Sequence, residues 1–147
     1  NVKEAEKILK ELKKKSQPNT ARYIISPETE VVEARVFIKI IEKKEIPSQK
    51  ELDVNDASYL LGLLDCVGEI KRLILDSIRT DKLEDAKMLF EVMEQIYLTI
   101  LPLATFDKIV DGLRRKLDVS RSLIESVRSI ITEEVRREEL IKQMKER

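Results

Sequence analysis

The chain has 147 residues, 38% of them charged and 42% hydrophobic, with 28 basic against 28 acidic side chains, no His and no Trp. This length predicts one domain over residues 1–147 with a modest core. Three Gly, four Pro and 4% aromatic residues favour an all-α fold, because sheets use more aromatic side chains on their pleated faces. The absence of His excludes Ser-His-Asp and Cys-His nucleophiles and His-containing zinc or di-iron sites.

The cysteine content and the hydropathy of the chain indicate its cellular environment. The single Cys66 excludes an internal disulfide and a thiolate cluster, so we expect a reducing, cytoplasmic environment. The longest uncharged stretch, Gln95 to Phe106, has 12 residues and contains Pro102. Because about 20 apolar residues are needed to cross a bilayer, we expect no membrane association.

Hydrophobic periodicity predicts five helices. The first ends in a turn-forming cluster at Ser16–Asn19, and the second begins where Ser26 offers a capping hydroxyl before Pro27. Two glycines inside the third helix, Gly62 and Gly68, predict close approach by a neighbouring backbone or a ligand. The helices are expected at about residues 2–15, 27–44, 53–77 (or from 55), 82–100, and from 106 or 107 to 137 or beyond.

The last helix carries a regular apolar stripe. Its members recur at alternating three- and four-residue steps, with Ser120 in one slot: Val110, Leu113, Leu117, Ile124, Val127 and Ile131. This spacing is typical of packing along a neighbouring helix. The pattern leaves open whether that helix belongs to the same chain or to another.

Charge is balanced overall but uneven along the chain. Residues 1–22 carry seven basic and three acidic groups (net +4), residues 23–104 carry ten and sixteen (net −6), and residues 105–147 carry eleven and nine (net +2). The simplest interpretation is that charged faces keep the helices soluble. Net charge by itself does not indicate nucleic acid.

Two carboxylates disturb the second helix. A helical wheel gathers its apolar residues on one side, and Glu30 and Glu33 fall inside that sector, one turn apart. Two like charges on a face built for burial are costly unless a cation lies against them. The alternatives are a first turn that frays into solvent, or stabilisation by the positive helix N-terminus. The predicted apolar sector consists of Ala34, Phe37, Ile38, Ile40 and Ile41.

The third helix adds a second pair, Asp65 and Glu69, four residues apart and directed away from its apolar stripe. Alone, such a pair is usually a solvated face. Four carboxylates on two adjacent helices are, however, the oxygen ligands that Mg²⁺ or Mn²⁺ requires. Such an ion could lower the pKa of a bound water and neutralise a scissile phosphate.

Three segments resemble the translin/TRAX family. They are SYLLGLLDCVGEIKRLILDSI (residues 58–78), ETEVVEARVFIKII (28–41) and GLRRKLDVSRSLIESV (112–127), in the family's order and spacing. The resemblance implies an antiparallel helical bundle that assembles into a hollow, octamer-like homo-oligomer and binds RNA or single-stranded DNA inside it. It also implies that the family's first helix precedes residue 1.

The family's catalytic branch consists of Mg²⁺-dependent endoribonucleases, and its acids match Glu30, Glu33, Asp65 and Glu69. The resemblance therefore implies that these four residues are catalytic and hold Mg²⁺ or Mn²⁺, and that a translin-type partner subunit could join the assembly. Substrate phosphates are expected to contact the basic clusters: Lys13, Lys14, Lys15, Arg114, Arg115, Lys116 and Arg121. Two alternatives remain, a non-catalytic RNA or single-stranded-DNA-binding shell and a helical scaffold.

Overall fold

The structure is a computed structural model that describes residues 2–15 and 23–146. In that part of the chain the regular elements are helices, as predicted: α1 (Val2–Lys15), α2 (Ile25–Ile41), α3 (Gln49–Leu52), α4 (Asp56–Arg79), α5 (Leu83–Ile100) and α6 (Leu113–Lys145). A 3-10 turn, Leu101–Phe106, follows α5. The predicted turn at Ser16–Asn19 lies outside the described residues.

The long helix α4 is the centre of the molecule, and α2, α5 and α6 pack around it. Its deepest residues, Val67, Ile70 and Ile74, are fully buried. The core draws on all four helices, and burial of this apolar surface is the main favourable contribution to folding. The predicted stripe on α6 packs within the same chain, since Val110 and all its later members are buried.

Contacts between side chains set the helix directions. Glu6 pairs with Arg35 and Lys13 with Glu28, so α1 runs antiparallel to α2. The helices α4 and α5 are antiparallel because only Thr80–Lys82 connect them. By contrast, α2 and α4 run parallel. Glu28 contacts Ser58, and one turn farther along both helices Val32 contacts Gly62.

The parallel arrangement requires a return connection between α2 and α4. Residues 42–55 provide it and contain α3, which the sequence analysis missed because it has four residues. A capping box between Ser48 and Glu51 begins this short helix. The Tyr59 hydroxyl donates to the Pro47 carbonyl at 2.9 Å and joins the connection to α4. The N-termini of α2 and α4 therefore lie at the same end of the bundle.

Two helix starts differ from the predictions. The helix α2 begins at Ile25, and its N-cap is Ile24 rather than Ser26; Pro27 is accommodated because first-turn N–H groups need no helical acceptor. The helix α6 begins at Leu113, later than expected, because Gly112 has φ +79° and interrupts the helical path. There the Asp107 carboxylate accepts from the Arg114 N–H at 2.8 Å.

The segment Leu83–Phe106 has the length and hydropathy of a membrane-crossing helix, with 17% of its most apolar window buried. Length and composition alone are weak evidence for insertion, and α5 contributes Met93, Ile96 and Ile100 to the core. The expectation of no membrane association stays a prediction.

The glycines of α4 differ in their surroundings. A Cβ on Gly62 would lie 2.6 Å from Val32 Cβ and 2.8 Å from the Thr29 carbonyl oxygen, so this glycine permits close packing of α2 on α4. A Cβ on Gly68 would meet nothing within 4 Å. The predicted close approach is thus confirmed at Gly62 only.

We predict opposite stability effects for the two glycines. Gly62→Ala should lower the free energy of unfolding by about 2 kcal/mol, because overpacking forces α2 away from α4. Gly68→Ala should raise it by about 0.5–1 kcal/mol, because Ala loses less backbone entropy in a helix. Urea unfolding followed by circular dichroism measures both, and a stabilising Gly62→Ala would contradict the close contact.

Candidate functional site

The most deeply buried charged residue described in the structure is Glu28, in the first turn of α2. Its side chain is 3% exposed and pairs with Lys13 Nζ at 2.5 Å. The same carboxylate accepts from Ser58 Oγ at 2.7 Å and from the Asn55 N–H at 3.1 Å. With this many partners the buried charge is compensated, so Glu28 has a structural role in joining α1, α2 and α4.

Glu28 is not among the predicted site residues, although the sequence carries a signal for its burial. It continues the four-residue spacing of Val32, Val36 and Ile40, which form the buried face of α2. The predicted sector was displaced from this face, since Ile38 and Ile41 are 37% and 53% exposed. The physical reason is that α2 carries apolar residues on most of its circumference, so a helical wheel does not select one face.

The structure brings the four predicted acids into one electrostatic group around Glu33. Burial, followed by the charges of Asp65 and Glu69, raises the pKa of Glu33; the charge of Lys116 opposes this rise, and Glu30 adds the smallest contribution to it. Burial and then the charges of Glu33, Glu69 and Asp65 also raise the pKa of the Cys66 thiol, on α4, to about 12. Cys66 is fully buried, so it is a protonated filler in the core.

The fourth acid, Glu30, is exposed at the edge of this group. It lines a cleft of about 560 Å³ together with Asp65, Lys116 and Asp111. Asp111 lies in the loop before α6. It is far along the chain from the other acids, so nothing in the sequence indicated that it lines the same cleft. Among the described residues, neither Glu30 nor Glu33 takes part in an ion pair.

Two of the acids already face cations. Lys116, in the first turn of α6, donates a hydrogen bond to Asp65 Oδ1, and the two side chains are 34% and 32% exposed. Glu69 lies 3.5 Å from the largely exposed Arg72. The acids therefore form a partly compensated group at the junction of α2, α4 and α6.

The chemistry of this donor set suits a divalent cation. Its ligands are carboxylate oxygens on three rigid helical turns, and its like charges are close enough to raise the pKa of Glu33. In the arrangement seen here, no three acidic or thiol side chains within residues 2–15 and 23–146 converge closely enough to hold one metal ion.

The predicted nucleic-acid residues have different environments. Lys13 is engaged by Glu28 and donates to the Asp53 carbonyl at 2.5 Å, and Arg121 pairs with Glu125 at 3.0 Å. The remaining positions apart from Lys116 are exposed, two at the end of α1 and two in the first turn of α6: Lys14, Lys15, Arg114 and Arg115. Of these four, only Arg114 and Arg115 lie near a helix N-terminus, which adds positive partial charge, whereas Lys14 and Lys15 lie at the C-terminal end of α1.

Comparison with known proteins identifies the family. The model of the translin family matches residues 1–132. The chain belongs to the translin family. An uncharacterised protein of Methanocaldococcus jannaschii, a similar relative, is 37% identical over 124 residues, 82% of this chain and 54% of the relative. The chain thus spans about half the length of this curated relative.

Two solved structures share the translin-type helical fold. The crystal structure of AfC3PO has a TM-score of 0.79 and 34% identity, covering 89% of this chain and 70% of that chain. A structure of AfC3PO in complex with duplex RNA has a TM-score of 0.75 and 33% identity, covering 86% and 65%. The predicted family and all-α fold are therefore confirmed.

We predict that two acids of α2, Glu28 and Glu30, contribute differently to the free energy of unfolding. Glu28→Ala should lower the free energy of unfolding by about 3 kcal/mol, because it strands a buried hydroxyl and removes a buried charge pair. Glu30→Ala, two residues away on the exposed side, should change it by less than about 0.5 kcal/mol. Thermal and urea unfolding measure both; equal losses would refute the distinction.

Proposed function

We propose that this translin-family chain is a subunit of an RNA-binding helical homo-oligomer and a metal-dependent endoribonuclease. The observation that carries the proposal is the electrostatic group formed by Glu33, Asp65 and Glu69 across α2 and α4. A charged group of this kind is stabilised by a cation. The similarity to AfC3PO, which has been solved in complex with duplex RNA, supports RNA as the polyanion that is bound.

In this proposal Glu33, Asp65 and Glu69 hold Mg²⁺ or Mn²⁺, and Glu30 faces the cleft from its edge. A bound ion would supply Lewis acidity, which would lower the pKa of a water and neutralise charge on the scissile phosphate. The chain's own contribution is to fix these carboxylates on packed helices, which limits their reorganisation. The exposed arginines of α6 position the RNA backbone, and neither role requires recognition of a base.

A second candidate is a non-catalytic shell that binds RNA or single-stranded DNA. Two observations favour it: the acids do not converge into a closed metal site in the described residues, and Asp65 is bound by Lys116. Both candidates include an octamer-like assembly, and a translin-type partner subunit could take part in either. Light scattering with and without RNA measures the assembly.

One variant, Glu33→Gln, distinguishes the two candidate functions. Glu33→Gln should reduce Mg²⁺-dependent RNA cleavage at least about 100-fold. Loss of a residue that only supports a metal ligand already lowers activity by about 10- to 100-fold, and loss of a ligand itself should cost more. RNA affinity should change less than about twofold, since phosphate contact is assigned to other side chains. The assay uses labelled RNA with Mg²⁺ and then EDTA.

The matched control is Glu91→Gln, which removes one exposed carboxylate from α5 and should leave cleavage unchanged. Cleavage that resists EDTA, or full activity in Glu33→Gln, would refute the metal site. RNA binding without cleavage by the wild-type protein would select the non-catalytic candidate.

Phosphate contact at the first turn of α6 is tested separately. Replacing both Arg114 and Arg115 by Ala should weaken RNA binding and reduce the slope of log affinity against log salt by roughly two, about one for each lost contact. The control replaces Arg136 and Arg137, an adjacent exposed pair farther along the same helix. Equal losses in the two double variants would show that RNA responds to net charge and not to this surface.

A further inference from the structure

Lys116 is the basic residue that the structure places among the proposed metal ligands. Its backbone is fixed because Leu113 and Leu117, on either side of it, are 0% and 2% exposed in the core. Its ammonium group donates to Asp65 Oδ1. Lys116 and Asp65 line the same cleft, of about 560 Å³, together with Glu30.

The Lys116 ammonium group competes with a divalent ion for the Asp65 carboxylate. A dication held by Asp65 and a lysine ammonium on the same carboxylate repel each other, because like charges this close are only partly screened at a protein surface. The ammonium group is itself a bound cation that the acids already accommodate.

The cleft gives the side chain an alternative position. Lysine carries its charge on a flexible four-carbon stem with three rotatable donors, and Lys116 is about one third exposed. The Asp65 carboxylate is the only hydrogen-bond acceptor recorded for its ammonium group within residues 2–15 and 23–146. Release from Asp65 therefore breaks one ion pair and leaves the ammonium group in the cleft that it already lines.

We propose that Lys116 is a displaceable internal counter-ion, which neutralises Asp65 until a divalent cation binds and then turns away from Asp65 within the cleft. The proposal rests on the proposed metal site and adds a regulatory step to it. In the displaced position the ammonium group faces the cleft, where it can contact a phosphate of bound RNA. Metal binding and substrate binding are thereby coupled through one side chain.

The test measures Mn²⁺ affinity without RNA. In Lys116→Met the stem is kept and the charge is removed, so Mn²⁺ should bind roughly tenfold more tightly than to the wild-type protein. Lys116→Arg keeps the charge and should bind no more tightly than wild type. Arg136→Met removes one charge from an exposed position farther along the same helix and should change the affinity less than about twofold. Electron paramagnetic resonance of free Mn²⁺ reports the dissociation constants.

A second measurement is the rise in melting temperature caused by Mn²⁺, which should be larger in Lys116→Met and in Lys116→Gln than in the wild type, because tighter ligands stabilise more. Unchanged affinity in Lys116→Met would overturn the inference and leave the metal site standing. Equal tightening in Arg136→Met would also overturn it, by showing a general effect of charge. If neither the wild type nor Lys116→Met binds Mn²⁺ at millimolar concentration, the proposed metal site itself fails.

Discussion

The contact of Gly62 with Val32 and the Thr29 carbonyl is the constraint on which the site depends. A side chain at position 62 has no room, since its Cβ would lie 2.6 Å from Val32 Cβ, so the two helix backbones approach closely. Because α2 and α4 run parallel, residues one turn beyond the contact face each other, and this brings Glu33 to Asp65 and Glu69. A wider separation would leave each acid on a solvated face.

Two acidic groups flank this contact, and they differ in how their charge is compensated. Glu28 is buried with a lysine, a hydroxyl and a backbone N–H directed at it, so nothing further is needed for its charge. The group around Glu33 contains four interacting acids, and Lys116 is the cation that opposes the effect of the other three on Glu33. This unequal compensation distinguishes the structural acid Glu28 from the acids that we propose as metal ligands.

Much of the fold follows from the sequence, because long amphipathic helices carry their own periodicity. The stripe from Val110 to Ile131 and the bounds of α1 and α5 are examples. What the sequence concealed depends on distant partners: Glu28 is buried only because Lys13 and Ser58 meet it. The resemblance and the wheel selected Glu33 and Asp65, yet neither indicated that Lys116, expected on a phosphate surface, lies on Asp65. That contact joins the first turn of α6 to α4, two helices that are far apart along the chain.

The most direct test of this account is the location of a bound ion. Crystals grown with Mn²⁺ and measured at a wavelength with anomalous scattering should show a peak between α2 and α4, within ligand distance of Glu33, Asp65 and Glu69, with the Lys116 ammonium group turned away. A well-ordered structure at millimolar Mn²⁺ with no peak there, and with Lys116 still on Asp65, would contradict the central claim.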